Sequence, residues 1–127
     1  MAQARRKRSG KPAGRAASSR RAPRAVLILA AYPRLGMAER AARRLVRDRV
    51  LACATVSPGR AFYVWGGREL SELSAVLHGK TTAARAAETL RLIRQSHPDK
   101  VPEILVIEIA AGDPDYLAWV AEQVKPK

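Results

Sequence analysis

A chain of 127 residues, 47% of them hydrophobic, has room for one domain with a buried core and not for two. One cysteine, Cys53, excludes an intramolecular disulfide and any paired-thiol metal or redox motif, and no apolar run reaches the roughly 18 to 20 residues of a membrane-spanning helix. The formal charge of +13 rests on 24 Lys and Arg against 11 Asp and Glu; nine of the basic residues and none of the acidic ones lie in residues 1–24, which leaves +4 for the rest.

Residues 1–24 interleave Arg and Lys with Ala, Gly, Ser and Pro, and hold little whose burial would offset the entropy of ordering. The expectation is a disordered basic tail. Its composition fits a solvated extension, a weak contact with nucleic acid or an anionic surface, a nuclear-type cluster at Arg5 to Arg8, or an acid-free organelle transit peptide. No apolar stretch precedes a small-residue cleavage site, so a secretory signal is not expected, and the single thiol favours the cytoplasm.

The domain, residues 25–127, opens with Ala25 to Ala31, a continuously apolar run that suits a central strand covered on both faces. From Met37 the positions Met37, Ala38, Ala41, Ala42, Leu45 and Val46 fall on one face of a helix, whose outer face is wet and mainly basic. Leu51 to Trp65 predicts a long strand interrupted at Ser57-Pro58-Gly59, where proline calls for a bulge or a sheet edge. Gly66-Gly67 predicts a hairpin turn, and Glu69 to Thr81 the returning strand, with Leu73, Ala75 and Leu77 on one face and Val76, His78 and Lys80 on the other.

A second helix is expected from Ala83 to Ser96, ending before His97-Pro98. Glu103 to Ala110 reads as a strand, and Asp113-Pro114 opens a last helix with an N-cap and a proline at the first helical position. The order βαββαβα defines an α+β class, a ferredoxin-like βαββαβ sandwich with an extra C-terminal helix. In such a sheet the second strand is an edge. Here it is long and apolar enough to pair with another chain, so a homo-oligomer is expected.

The residues themselves offer little catalysis. His78 and His97 stand alone, Cys53 reads first as a small buried residue, and no glycine-rich phosphate loop, zinc-helix motif or nucleophile elbow is present. Acylphosphatases resemble this layout, and Arg34 stands where their arginine lies, but they require an asparagine and the chain contains none. An RNA-recognition module requires exposed aromatics on its central strands, and the first strand has only aliphatics there.

Four blocks resemble the CutA divalent-cation tolerance family: AERAARRLVRDRVLAC (Ala38 to Cys53), YVWGGR (Tyr63 to Arg68), KTT (Lys80 to Thr82), and HPDKVPEI with GDPDYLAW (His97 to Ile104 and Gly112 to Trp119). The resemblance spans residues 25–124. It implies a ferredoxin-like homotrimer that responds to metal ions and binds copper(II) or another divalent cation, without enzymatic activity. It also implies a structural cousin, the PII-type trimers, and with it the alternative of a small-ligand or protein-interaction module that has lost metal binding.

The family's copper ligands, a cysteine in the first strand and a His-His pair before the proline, match Ala30, Ser96 and His97, so only His97 remains. The family's HPY is His97-Pro98-Asp99, its third-strand glutamate is Ser74, its double tryptophan is Val64-Trp65, and the stretch between Gly59 and Tyr63 is one residue short. The candidate metal ligands are therefore His97, Asp99 and Cys53. Lys80, Trp65 and Tyr116 match family positions near the cleft between subunits.

Overall fold

The computed structural model describes residues 23–126. The expectation of a disordered tail lies outside the described residues, apart from Pro23 and Arg24. Arg24, counted with the tail, is tied to the domain. Its carbonyl accepts from the Ala83 N–H at 2.8 Å, and its guanidinium lies 3.4 Å from Glu108.

The elements are β1 (Ala25–Tyr32), α1 (Leu35–Arg47), β2 (Cys53–Trp65), β3 (Arg68–Thr82), α2 (Ala83–Ser96), β4 (Ile104–Glu108) and α3 (Pro114–Gln123). The strands form one sheet in the order β2-β3-β1-β4, every neighbouring pair antiparallel. This is the ferredoxin-like arrangement that the order of elements implies.

Alternation along β1 shows how the sheet is covered. Val26, Ile28, Ala30 and Tyr32 are buried, while Leu27, Leu29 and Ala31 between them are half-buried. The buried set joins Ala75 and Leu77 of β3, Ala38, Ala42 and Leu45 of α1, and Ile93 of α2 in the main core. A run apolar at every position predicts two covered faces; within one chain only the helical face is fully covered.

Between α1 and β2 the chain turns through Arg49, the only non-glycine residue with a positive φ, 63°, among the described residues. The Val50 N–H reaches back to the Leu45 carbonyl and the Arg49 N–H to the Val46 carbonyl, the paired bonds of a Schellman helix end. Arg49 holds this glycine-like position with anchors of its own. Its guanidinium donates to Gln123 at 2.9 Å, and its carbonyl accepts from Arg85 at 3.1 Å.

The β2–β3 hairpin keeps one register from Cys53↔Lys80 to Trp65↔Arg68. The expected interruption at Ser57-Pro58-Gly59 is therefore absent, and no bulge breaks the ladder. Pro58 lies opposite Ala75 in an edge strand, where a missing N–H can face away from the partner. Gly66 and Gly67, with φ of 62° and 77°, make the two-residue turn that matches the strand twist.

The strands of this hairpin outrun their support. Pairing of β1 with β3 ends at Tyr32↔Ala75, so β3 before Ala75 and the facing half of β2 have no third strand beside them. Leu73 shares a face with Ala75 and Leu77, yet it is 68% exposed, because that face continues past the sheet. Phe62, Val64 and Trp65 are 72%, 64% and 59% exposed along the same arm.

α3 starts as its sequence implies, with the Asp113 side chain accepting from the Tyr116 N–H at 3.0 Å and Pro114 at the first helical position. Val120 and Val124 pack with Ala52 in a second, small core.

Gly79 shows how closely the main core is fitted. A β-carbon there would stand 2.7 Å from a Leu51 methyl, whereas one at Gly36, inside α1, would meet only the flexible end of Arg40 at 3.5 Å. Gly79→Ala is expected to lower unfolding stability by about 1–3 kcal/mol, and Gly36→Ala to raise it by up to about 1 kcal/mol. Chemical denaturation of both variants checks the pair.

Candidate functional site

His97 follows α2 directly and turns under the sheet beside the last residue of β1. Its ring stacks on Tyr32 with centroids 4.5 Å apart. Nε2 lies 2.6 Å from the Ala31 carbonyl, and Nδ1 lies 3.1 Å from the backbone nitrogen of Asp99. The Asp99 N–H can only donate, so Nδ1 accepts; Nε2 then carries the hydrogen and donates to Ala31. Both ring nitrogens are engaged with backbone, and neither has a lone pair directed at solvent.

Asp99 leaves its carboxylate exposed. Across from it on the arm, Tyr63 donates to Glu72 at 2.6 Å. That hydrogen bond, foremost, and the nearby Asp99 charge hold the Tyr63 phenol above its ordinary value.

Cys53 lies elsewhere. It begins β2, opposite Lys80, which in turn faces Leu27 of β1. From Ala31 to Cys53 is four residues along the strands and two strands across, about 16 Å at standard spacings. The structure thus joins His97 with the Asp99 backbone and separates both from Cys53. Among the described residues no three His, Cys, Asp or Glu side chains gather to hold a metal ion.

The structure does bring together three of the other candidates. Cys53 and Lys80 are a directly opposed cross-strand pair, and the Tyr116 hydroxyl from α3 is 3.1 Å from the Cys53 sulfur. Trp119, one turn further along α3, stacks on Tyr116 with centroids 5.8 Å apart and is 40% exposed. The sequence reading passed over Trp119, although its i+3 spacing from Tyr116 places both rings on one helix face. Trp65 is absent from this corner, since it closes the far end of β2, twelve residues or roughly 40 Å along the strand from Cys53. Trp65 and Lys80 can meet only across two chains.

An α+β domain with an open sheet face, a projecting hairpin arm and a polar-aromatic corner defines the class: a ferredoxin-like α+β domain. Residues 26–123 match the model of the family described as CutA1 divalent ion tolerance protein. The chain belongs to the CutA divalent-cation tolerance family.

The divalent-cation tolerance protein CutA of Pectobacterium atrosepticum is 37% identical over 99 residues, covering 76% of this chain and 88% of the relative. That of Citrobacter koseri is 33% identical over 99 residues, covering 77% and 86%. The structure described as the periplasmic divalent cation tolerance protein CutA from Archaeoglobus fulgidus superposes with a TM-score of 0.77 at 29% identity, covering 80% of this chain and 99% of that one. Among the described residues, no helix is long and apolar enough to cross a membrane.

Two measurements follow from these contacts. His97→Ala strands the Ala31 carbonyl and removes the Tyr32 stack; a loss of about 2–4 kcal/mol is expected in chemical denaturation, and a loss under about 0.5 kcal/mol would deny His97 its structural role. Burial pushes Tyr32 up to about 12, and Tyr116 is raised by burial first and then by its bond to Cys53. A tyrosine that holds its proton more tightly when folded stabilises fully below its unfolded value near 10 and loses that contribution as pH rises through the folded value. Thermal midpoints should therefore fall between pH 10 and 12, and fall less steeply in Tyr32→Phe.

Proposed function

We propose that the protein acts in divalent-cation tolerance as a homotrimer, by binding and not by catalysis, with copper(II) or another divalent cation as its ligand. The observation that carries this reading is the β2–β3 arm. Phe62, Val64, Trp65 and Leu73 are exposed on it, while Leu27 and Leu29 of β1 and Leu105 and Ile107 of β4 line the open face of the sheet. These are unlike surfaces on one chain. An arm laid over a neighbour's sheet is a head-to-tail contact, of the kind that forms a ring where the rotation between neighbours closes, and three members is the number that the family resemblance implies.

Of the three candidate ligands, Asp99 and Cys53 retain donor atoms for a cation, and His97 does not, because its ring nitrogens hold Ala31 and Asp99. The residues of one chain do not fit a tight copper(II) site, which needs several N, O or S donors together. Cation binding in this reading is made where chains meet. The single free thiol supports a cytoplasmic setting.

The exposed Tyr116–Trp119 pair beside Cys53 and Lys80 favours a second reading, a PII-like trimer that takes a small organic ligand in its cleft. A thermal-shift comparison of divalent salts with organic anions separates the two readings by which additive raises the midpoint.

Calorimetric titration of copper(II) tests the ligand assignment. His97→Gln, whose amide can still donate to Ala31, should keep the affinity within about threefold, whereas Cys53→Ser and Asp99→Asn should each weaken it about tenfold or more. Loss of binding in His97→Gln alone would overturn the assignment. Hydrogen exchange tests the assembly: amides of residues 59–65 should be protected in the intact protein and should lose protection on dilution or in Val64→Asp. Fast exchange at every concentration would mean that the arm has no partner.

A further inference from the structure

On the helical side of the domain, away from the arm and the open sheet face, α1 carries Arg40, Arg43, Arg44 and Arg47. Their spacings of three and four residues place all four guanidinium groups on one stripe, about 10 Å long at the standard helical rise. The stripe borders a groove between α1 and α2 with a volume of about 520 Å³, of small-molecule size. Met37, Leu92 and Pro98 give the groove an apolar lining.

The charge along this rim is nearly uncompensated. Among the described residues, Arg44 alone of the four has an ionic partner, Asp48 at 3.9 Å, in an exposed pair of little energetic consequence. Tyr32 supplies an independent observation. It lines the same groove and is only 3% exposed, yet its hydroxyl has no hydrogen-bond partner among the described residues. A buried hydroxyl without a partner carries a desolvation cost, which a ligand oxygen seated there would relieve.

We propose that the α1–α2 groove binds an organic anion bearing two or more phosphate groups, with the phosphates along Arg40, Arg43, Arg44 and Arg47, the apolar body in the groove and a ligand oxygen on the Tyr32 hydroxyl. A single phosphate spans far less than the stripe. A chain of two or three phosphates engages successive guanidinium forks, which match phosphate oxygens in bidentate geometry. The apolar lining adds a preference that a bare polyanion cannot satisfy. Burial keeps Tyr32 a phenol to about pH 12, so it acts as a donor throughout the physiological range. This site is separate from the cation reading above, and neither depends on the other.

The test is calorimetric titration of the full chain with ATP, inorganic triphosphate and adenosine as probes at fixed ionic strength. ATP should bind at least tenfold more tightly than triphosphate, and adenosine should bind more weakly than either. Arg40→Gln with Arg44→Gln should weaken ATP at least tenfold, and Tyr32→Phe about threefold to tenfold. A tail variant, Arg6→Gln with Arg8→Gln, should stay within twofold. Three results would each overturn the proposal: loss of ATP binding in the tail variant with the α1 variant unaffected, equal affinity for ATP and triphosphate, or displacement of ATP by a single-stranded oligonucleotide that binds more tightly through the same arginines.

Discussion

The eight residues of β1 set the limit on which the rest of the architecture depends. β2 and β3 run 13 and 15 residues in unbroken register, but β1 can pair only with the Ala75 to Thr82 stretch of β3. Everything the hairpin carries beyond that point is a two-stranded ribbon, and isolated ribbons of this kind are marginal in water. Among the described residues, nothing covers the ribbon's apolar side chains. The open face of β1 and β4 leaves a second apolar surface, so one mismatch of lengths accounts for both surfaces that the proposed trimer would join.

At the end of β1 where that support stops, His97 closes the structure by satisfying backbone groups. Its Nε2 bond to Ala31 joins the end of β1 to the chain after α2, its Nδ1 accepts from the Asp99 N–H two residues on, and its ring covers Tyr32. The matching family positions that would have given this imidazole metal-binding company are Ala30, which is fully buried in the core, and Ser96, whose hydroxyl turns back onto Leu92 of its own helix. His97 resembles a metal ligand by position, and within one chain its ring nitrogens contact the Ala31 carbonyl and the Asp99 amide. Among the described residues, accessible polar chemistry includes the Asp99 carboxylate, the Cys53–Lys80–Tyr116 corner and the arginines of α1.

Much of this was legible in the sequence where one local signal dominates. The Gly66-Gly67 turn, the Asp113-Pro114 helix start and the end of α2 before His97-Pro98 all follow from backbone chemistry that tolerates few residues. Of the bulge or edge that Pro58 calls for, the structure has the edge and an unbroken strand, because proline reports a missing N–H and not which side of the strand lacks a partner. Leu73 follows the right alternation, but periodicity identifies a face without saying how far the sheet behind it extends. For the site, Lys80 and Tyr116 were legible through the family blocks, and their junction with Cys53 needed the fold. The engagement of His97 was not legible at all, since its partners are the Ala31 carbonyl and the Asp99 amide, groups that every residue possesses.

The proposed trimer has the arm of one chain laid over the open sheet face of the next, in a closed ring. The mass of the intact protein by native mass spectrometry or sedimentation velocity tests it most directly. The account predicts a single species of three times the 13.9 kDa chain mass, reduced to the chain mass when Phe62 and Val64 are both replaced by Asp. A stable monomer of the unaltered chain at micromolar concentration would contradict it.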